Sequence, residues 1–372
     1  MNRAKKICIA FLGNPKFDSR ITNLANSLRE DGCKVSVIGF DWFITSEDHI
    51  ENELKIYAIK KSKFSLIFYL QFAYILLGEL IRSEADIYFA EDLYTLPFVA
   101  AIAKIKKAKV YYNSREIYAH IGGLRDRPML QKIVKSIEKF FITKVDLVMT
   151  TGPLDSEYIE KLYNIKDTLV VRNIPLYQNA ISKIDLRNKF NIGHDKLLLV
   201  YQGVILHGRG LKQIINSIAK LPKAVLIIFG DGEQKNHFKQ LAEKLNINDR
   251  IVFARTYNQK ELINYTAGGD VGLSLVENIS ISYYHALPNK LFEYIMAGLP
   301  VLCSDLPQMK KIVDDYKVGE SINMENEENI ITVLNKWFEN PNLLSEYRNN
   351  CVTAAKELNW QEEYKKVRTR LL

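Results

Sequence analysis

Two segments of the chain hold residue types that can grip a phosphorylated substrate. The first, Gln202-Gly203-Val204-Ile205-Leu206-His207-Gly208-Arg209-Gly210, joins an apolar run to a helical pattern whose apolar positions are Leu211, Ile214, Ile215 and Ile218. Glycines around one arginine, just ahead of a helix N-terminus, suit a phosphate: they offer unblocked backbone N–H groups and a permanent cation. A strand-to-helix turn also needs glycine on geometry alone, so both readings stay open for this segment by itself. The second segment is HALPNKLFEYIMAGLP, His285 to Pro300. At ~100° per residue, Leu291, Phe292, Ile295 and Met296 share one side of a short helix and Asn289, Lys290, Glu293 and Ala297 the other, with Pro288 starting it and Gly298 stopping it. Glu293 then lies one turn inside a helix whose free N–H groups attract anions. Its carboxylate can accept two hydrogen bonds from a vicinal diol such as a ribose, while the N-terminal amides hold an attached diphosphate. A glutamate favoured there only by the helix dipole fits the same pattern.

The elements that must position these segments are legible as alternating strands and helices. Lys6–Leu12 is an apolar run, followed by the loop Gly13–Arg20, a helix carrying Ile21, Leu24, Ala25 and Leu28, and a second strand at Val35–Ile38. Further strands are expected at Asp86–Ala90, Lys109–Asn113, Asp146–Thr151 and Thr168–Val171. The alternation breaks near Arg172–Pro175, and the same rhythm restarts at Leu197–Gln202 and runs through strands 224–229, 250–254, 270–275 and 300–304. The fold class is therefore α/β, with two Rossmann-like doubly wound domains facing each other across a cleft. The expected boundaries are an N-terminal domain over 1–175, a linker over 176–196, a C-terminal domain over 197–355 and a terminal helix over 356–372. Phe64–Ile81, flanked by Lys60, Lys61, Lys63 and Arg82, reads either as a helix buried beside the first sheet or as an interfacial membrane helix. It falls short of the ~20 clean apolar residues a spanning helix needs.

Composition narrows the classes. A chain of 372 residues with 47% hydrophobic and 25% charged residues is an ordinary folded protein of about two domains, not a disordered or low-complexity one. Cys8, Cys33, Cys303 and Cys351 are scattered without a C-x-x-C pair, which favours a reducing compartment. The basic N-terminus has too short an apolar run for a signal peptide, so a cytoplasmic location is expected. Of the histidines His49, His120, His194, His207, His237 and His285, no pair has metal-ligand spacing on one helix face. The net charge of +8 is concentrated: residues 101–150 hold 11 Lys+Arg and 4 Asp+Glu. Such a patch suits an anionic membrane, a phosphorylated substrate or merely solvent. No helix-turn-helix, zinc-finger or RNP-like motif supports nucleic acid as a partner.

Taken together, the motifs become specific. PNKLFEYIMAGLPVLCSD, preceded by GGDVGLSLV and by FGDGEQKNHFKQLAEKLNINDRIVF, resembles the nucleotide-binding domain of retaining glycosyltransferases of the family 4 type, glycosyl transferases group 1 with the GT-B fold. FDSRITNLANSLREDGCKVSVI looks like the family's first loop and helix, and AEDLYTLPFVAAI followed by VYYNSREIY looks like its acceptor-side strand and catalytic loop. The resemblance implies that Glu293 binds the donor ribose and Arg209 the diphosphate. It places Lys290, with the amides near Leu287, Asn289 and Leu291, on the distal phosphate and sugar. It also puts Gly203 and Gly232 at strand ends facing the donor, Tyr257 near the base, and the loop with Gly13, Asn14 and Arg20 over the sugar and diphosphate. Three positions depart from the family's pattern. His285 stands eight before Glu293 where a second glutamate is usual, Val204 replaces an arginine, and Asn113-Ser114-Arg115-Glu116 replaces Asp-x-His-Glu. Arg115 stays protonated and cannot serve as a base. It is expected to stabilise the leaving phosphate or orient the sugar, with Glu116 as the nearest carboxylate, and a structural ion pair is the alternative for both residues.

The implied activity is transfer of a sugar, with retention and without a metal, from a UDP- or GDP-sugar to a hydroxyl of a growing glycan or lipid-linked acceptor. No cofactor is implied beyond that donor. Cell-surface polysaccharide or glycoconjugate synthesis at the inner face of the membrane is the implied setting. A nucleotide-sugar 2-epimerase and a non-catalytic nucleotide-sugar-binding partner subunit are the alternatives.

Overall fold

The computed structural model describes residues 3–42, 48–51, 53–60 and 65–372. Lys61, Lys63 and Phe64, which flank or open the long apolar stretch, lie outside the described residues. The strands in chain order are β1 (Lys6–Ala10), β2 (Lys34–Asp41), β3 (His49–Ile50), β4 (Leu54–Ala58), β5 (Ile87–Ala90), β6 (Lys109–Ser114), β7 (Leu147–Thr150) and β8 (Leu169–Val170). They continue with β9 (Leu197–Gln202), β10 (Ala224–Phe229), β11 (Ile251–Ala254), β12 (Val271–Ser274), β13 (Val301–Ser304) and β14 (Gly319–Ile322).

The chain divides into two units, residues 1–173 with 364–372, and residues 174–363. The first unit holds a sheet of order β3-β4-β2-β1-β5-β6-β7-β8, parallel throughout except for the edge pair β3 and β4. The second holds β11-β10-β9-β12-β13-β14, all parallel. Both orders reverse direction beside the first strand of their sheet, between β1 and β5 and between β9 and β12, which is the doubly wound Rossmann-like plan. Strands buried on both faces must be continuously apolar, and β10, AVLIIF, has every residue buried. The sheet of the second unit packs a separate core on each face, one around Val200, Phe292 and Val301, the other around Leu199, Ile215 and Trp337. In the first unit, Phe40, Phe72, Leu96 and Tyr112 share a core. Strands β3, β4 and β14 go beyond the sequence expectation.

The stretch 176–196 is corrected from linker to part of the second unit. Its polar composition hides a spaced set of apolar residues: Leu186 is fully buried, and Tyr177, Ile181, Ile184, Phe190 and Ile192 pack against the same core. Asp185 caps a short helix, Leu186–Phe190, and Arg187 Nη2 pairs with Asp270 Oδ2 at 2.5 Å. The second unit also extends past 355: Asn359 and Trp360 are buried, and the Trp360 N–H donates to Pro175 O at 2.8 Å. Only Tyr364–Leu372 belongs to the first unit, where the Tyr364 hydroxyl donates to Asp31 Oδ2 at 2.7 Å and Arg370 pairs with Asp167.

The long apolar stretch is the helix Ser65–Arg82. It buries Phe68, Phe72, Leu76 and Leu80, and Glu79 is neutralised by Lys55 and Arg82. Leu66, Ile67, Leu70 and Tyr74 on the other side are exposed. Among the described residues, no helix is long and apolar enough to cross a membrane.

Candidate functional site

In the second unit the chain leaving β9 at the reversal of strand order is Gly203–Gly210, where a parallel sheet leaves room for a ligand. Gly203, Gly208 and Gly210 have φ of 125°, 79° and 69°, a region that strains any residue with a Cβ. Backbone geometry thus accounts for these glycines. The Gly203 N–H donates to Phe229 O at 3.0 Å and extends the sheet, which corrects its assignment as an open phosphate donor. The Gly232 N–H likewise donates to Asp231 Oδ1 at 2.8 Å, and a Cβ on Gly232 would stand 2.3 Å from Ile205 O. Gly232 is therefore required by the close approach of two loops at the strand ends.

The helix Asn289–Met296 begins after Pro288, as its sequence requires. Lys290 in its first turn is buried, with Nζ 4.1 Å from the centroid of the Tyr201 ring and no hydrogen-bond partner among the described residues. Burial drives its pKa well below the usual lysine value, the Arg209 charge pushes the same way, and Glu293 opposes both. Arg209 is half-buried with its guanidinium 5.1 Å from the Tyr283 ring centroid, and among the described residues no carboxylate pairs with it. Two mutually repelling cations, one of them dry, beside a helix N-terminus form a site for an anion. Leu287 and Asn289 sit half-buried at that terminus. Leu291 does not belong with them: its side chain is fully buried in the core, and its N–H donates to Pro288 O at 3.1 Å.

Glu293 is half-buried beside this anion site. One oxygen accepts from Gln202 Nε2 and the other from Gln259 Nε2 at 2.8 Å, while Gln202 Oε1 accepts from Thr266 Oγ1 at 2.6 Å. Burial raises its pKa above the ordinary carboxyl value, against the lowering effect of Gln259, Gln202 and the Lys290 charge. Gln202 is buried and fixed, whereas Gln259 is exposed and able to yield its place to another donor. Sequence reasoning missed Gln259 and gave Gln202 no role, although Gln202 opens the glycine segment it singled out. Tyr257 follows β11 and overlaps Tyr265 at 3.9 Å between ring centroids, with the Arg255 guanidinium 4.6 Å from its own centroid.

In the first unit the reversal lies between β1 and β5, and three strand ends meet there. Arg115, after β6, donates two bonds to Asp18, at 2.6 and 3.1 Å, and a third to Glu91 Oε2 at 3.2 Å, while its guanidinium lies 4.3 Å from the Phe11 ring centroid. Glu91, fully buried, also accepts from Asn113 Nδ2 at 2.9 Å. Burial alone would raise the Asp18 carboxyl, yet Arg115 holds it below its ordinary value. The carboxylates that engage Arg115 are therefore Asp18 and Glu91, and Glu116 is exposed, which corrects the expectation that Glu116 is the carboxylate nearest Arg115. The ion pair expected as one reading of Arg115 is present, with Asp18 and Glu91 as its partners.

Arg20 is buried one turn into the helix Ser19–Glu30 with Nη1 3.4 Å from Asn113 Oδ1, and burial together with Arg115 lowers its pKa to about 10. Asn14 donates to Asp41 Oδ2 at 2.8 Å and accepts from the Lys16 N–H at 3.0 Å, and a Cβ on Gly13 would meet the Phe11 ring at 2.4 Å. These residues frame a cavity of about 260 Å³ whose walls include Phe11, Phe17, Asp18 and Trp42. Among the described residues, no group of three or more His, Cys, Asp or Glu side chains converges as a metal-binding set.

Residues 182–358, a stretch within the second unit, match the family described as glycosyl transferases group 1. A curated relative is the alpha-monoglucosyldiacylglycerol synthase of Streptococcus pneumoniae, 22% identical over 238 residues, 60% of this chain and 51% of that protein. The chain spans about half the length of the first curated relatives it matches. Among solved structures, the sucrose-phosphate synthase from Thermosynechococcus elongatus aligns with a TM-score of 0.80 at 13% identity, over 99% of this chain and 98% of that one. Anabaena Alr3699/HepE in complex with UDP-glucose aligns with a TM-score of 0.73 at 13% identity, over 99% of each chain.

Proposed function

Starting from a chain whose second unit matches glycosyl transferases group 1, we propose a retaining, metal-independent glycosyltransferase that draws on a UDP- or GDP-sugar. Its acceptor is a hydroxyl of a growing glycan or of a lipid-linked sugar in cell-surface polysaccharide or glycoconjugate synthesis, reached from the cytoplasmic side by peripheral attachment to an anionic membrane face. The observation that carries this reading is Lys290: a buried amine with no hydrogen-bond partner among the described residues, at a helix N-terminus, next to Arg209 and within the same helix as Glu293. The glycolipid named for the streptococcal relative and the UDP-glucose complex of the Anabaena structure support the donor and acceptor classes.

In this reading the diphosphate lies against Lys290, Arg209 and the first amides of the helix Asn289–Met296. As the bond between the sugar's anomeric carbon and the phosphate oxygen breaks, negative charge grows on the diphosphate. A positive field already in place stabilises that charge without reorganising. Glu293 takes both ribose hydroxyls, with Gln259 giving way and Gln202 holding the carboxylate in position. Arg115 positions the loop 13–20 through Asp18 rather than moving a proton.

Thermal-shift screening against UDP- and GDP-sugars should raise the melting temperature for one of them, since a ligand that binds only the folded state stabilises it. An NMR time course of the product should then show the donor's anomeric configuration, and inversion would overturn the assignment. Glu293→Ala should weaken the donor about tenfold, by the loss of hydrogen bonds to a charged acceptor. Tight nucleotide binding with no turnover on any acceptor would replace the reaction with the binding-subunit reading.

A further inference from the structure

The helix Pro128–Ile142 is amphipathic in reverse. Met129, Leu130, Ile133, Ile137 and Phe140 are all exposed, Met129 by 77% and Phe140 by 57%. At ~100° per residue these five cover an arc of about 100° on one side of the helix. The opposite side, turned to the domain, is centred on Glu138, which is 1% exposed. Its carboxylate accepts from the Tyr112 hydroxyl at 2.6 Å, the Tyr163 hydroxyl at 2.7 Å and Ser114 Oγ at 3.3 Å. A buried carboxylate is tolerated only when hydrogen-bonded, and three hydroxyls meet that need here. They also fix the rotation of the helix. Half a turn of rotation would bury the apolar row, but it would release the glutamate to water and lift Val134, Phe141 and Ile142 off the core. The fold instead provides a polar clamp that keeps the apolar arc outward.

Charge indicates what covers that arc. Lys132 and Lys139 border it, Lys135 and Lys144 lie on the same helix or just beyond, and the single carboxylate between Arg127 and Lys144 is the buried Glu138. Lys144 Nζ stands 3.0 Å from the Phe140 ring centroid, so a cation accompanies the outermost aromatic ring. Ring contacts through the buried Tyr118 lead from this helix to a second group of exposed apolar side chains. Tyr118, in the turn packed against the helix Pro128–Ile142, meets Tyr94, which stacks on Tyr69 beside the exposed Leu66 and Leu70 of the helix Ser65–Arg82. Apolar side chains on a convex helix, edged by lysines whose stems reach along the apolar surface, fit the boundary between acyl chains and anionic headgroups.

We infer that the helix Pro128–Ile142 lies in the plane of an anionic lipid bilayer, with Met129, Ile133, Ile137 and Phe140 in the acyl boundary and the lysines at the headgroups. This deepens the peripheral attachment in the proposed function and rests on that part of it alone, not on the donor or the chemistry.

The test is co-sedimentation of the full chain with vesicles of mixed phosphatidylglycerol and phosphatidylcholine, against phosphatidylcholine alone, at low and high salt. The chain should bind the anionic vesicles and release in salt. Ile133→Glu/Ile137→Glu should lower the partition coefficient at least about tenfold, through lost apolar burial. Lys132→Glu/Lys139→Glu should remove most of the salt-sensitive part, again about tenfold. Both sites are exposed, so melting temperatures and nucleotide-sugar shifts should match the unaltered chain. Absence of binding, or undiminished binding by Ile133→Glu/Ile137→Glu, would overturn the inference. So would those substitutions dissociating a dimer in lipid-free buffer, because the arc would then be covered by a second copy. Vesicle binding that persists when no nucleotide sugar binds would leave this inference standing and remove the donor reading instead.

Discussion

Each unit brings arginine or lysine to the strand ends where its sheet reverses order, yet the two treat the charge in opposite ways. In the first, Arg115 is closed on by Asp18 and Glu91 and ties the loop 13–20 to β5 and β6. In the second, Lys290 and Arg209 repel each other, and among the described residues Lys290 Nζ has no hydrogen-bond partner. The same residue chemistry therefore stabilises one unit and strains the other. A cation with its counter-ions built in holds a fold, and a cation without them waits for an anion from solution.

The largest test of this contrast is Arg115→Ala, which leaves Asp18 and Glu91 without their cation. Breaking a largely buried pair should lower stability by about 3 kcal/mol in urea unfolding, with little change in nucleotide-sugar affinity. Lys290→Met should do the reverse. The free protein should keep or slightly gain stability, because an apolar side chain replaces a dry ammonium. Donor affinity should fall about 10- to 100-fold by calorimetry, the range of a charged hydrogen bond. If both substitutions destabilise alike, the contrast fails.

A pH series sharpens it further. Burial, with Arg209 adding to it, holds the Lys290 pKa well below 10.5, so the penalty for folding around a charged lysine is full below that lowered value. The penalty fades as pH rises toward 10.5. A diphosphate needs the charged form, so binding takes up a proton, and affinity should decline as pH rises through the lowered pKa. Lys290→Met should flatten that decline. The smallest effect belongs to Gln259→Ala, which removes an exposed partner of Glu293 that the ribose must displace in any case. Donor affinity should shift by less than about threefold, within the range of one neutral hydrogen bond.

The second unit was the more legible because its site is local. Lys290 and Glu293 share one short helix, Gly203–Gly210 is one loop, and the strands around them are unbroken apolar runs. The first unit's site depends on topology: Asp18 lies 97 positions from Arg115 and Glu91 lies 24, and only the strand order brings them together. Expecting Glu116 to be the carboxylate nearest Arg115 followed sequence adjacency, which an extended chain end does not honour. The linker was misread because its apolar residues are spaced singly among polar ones, so mean composition concealed a packed segment. Periodicity also misleads for the helix Pro128–Ile142. An apolar stripe normally marks the buried face, and here three hydroxyls from β6 and from the helix Pro153–Tyr163 turn that rule around.

The last residues, Tyr364–Leu372, impose an order on folding. The second unit is one continuous stretch, so every contact it needs is available once residue 363 has been made. The first unit must wait for a segment whose bonds to Asp31 span 333 and 337 positions. Loop closure over such distances is slow, though tethering by an already folded insert shortens the effective search. On a ribosome, the second unit would be complete while the unit bearing the exposed apolar helix still lacked its strut from Tyr364–Leu372. That interval is when a chaperone or a nearby bilayer would have most influence on the outcome.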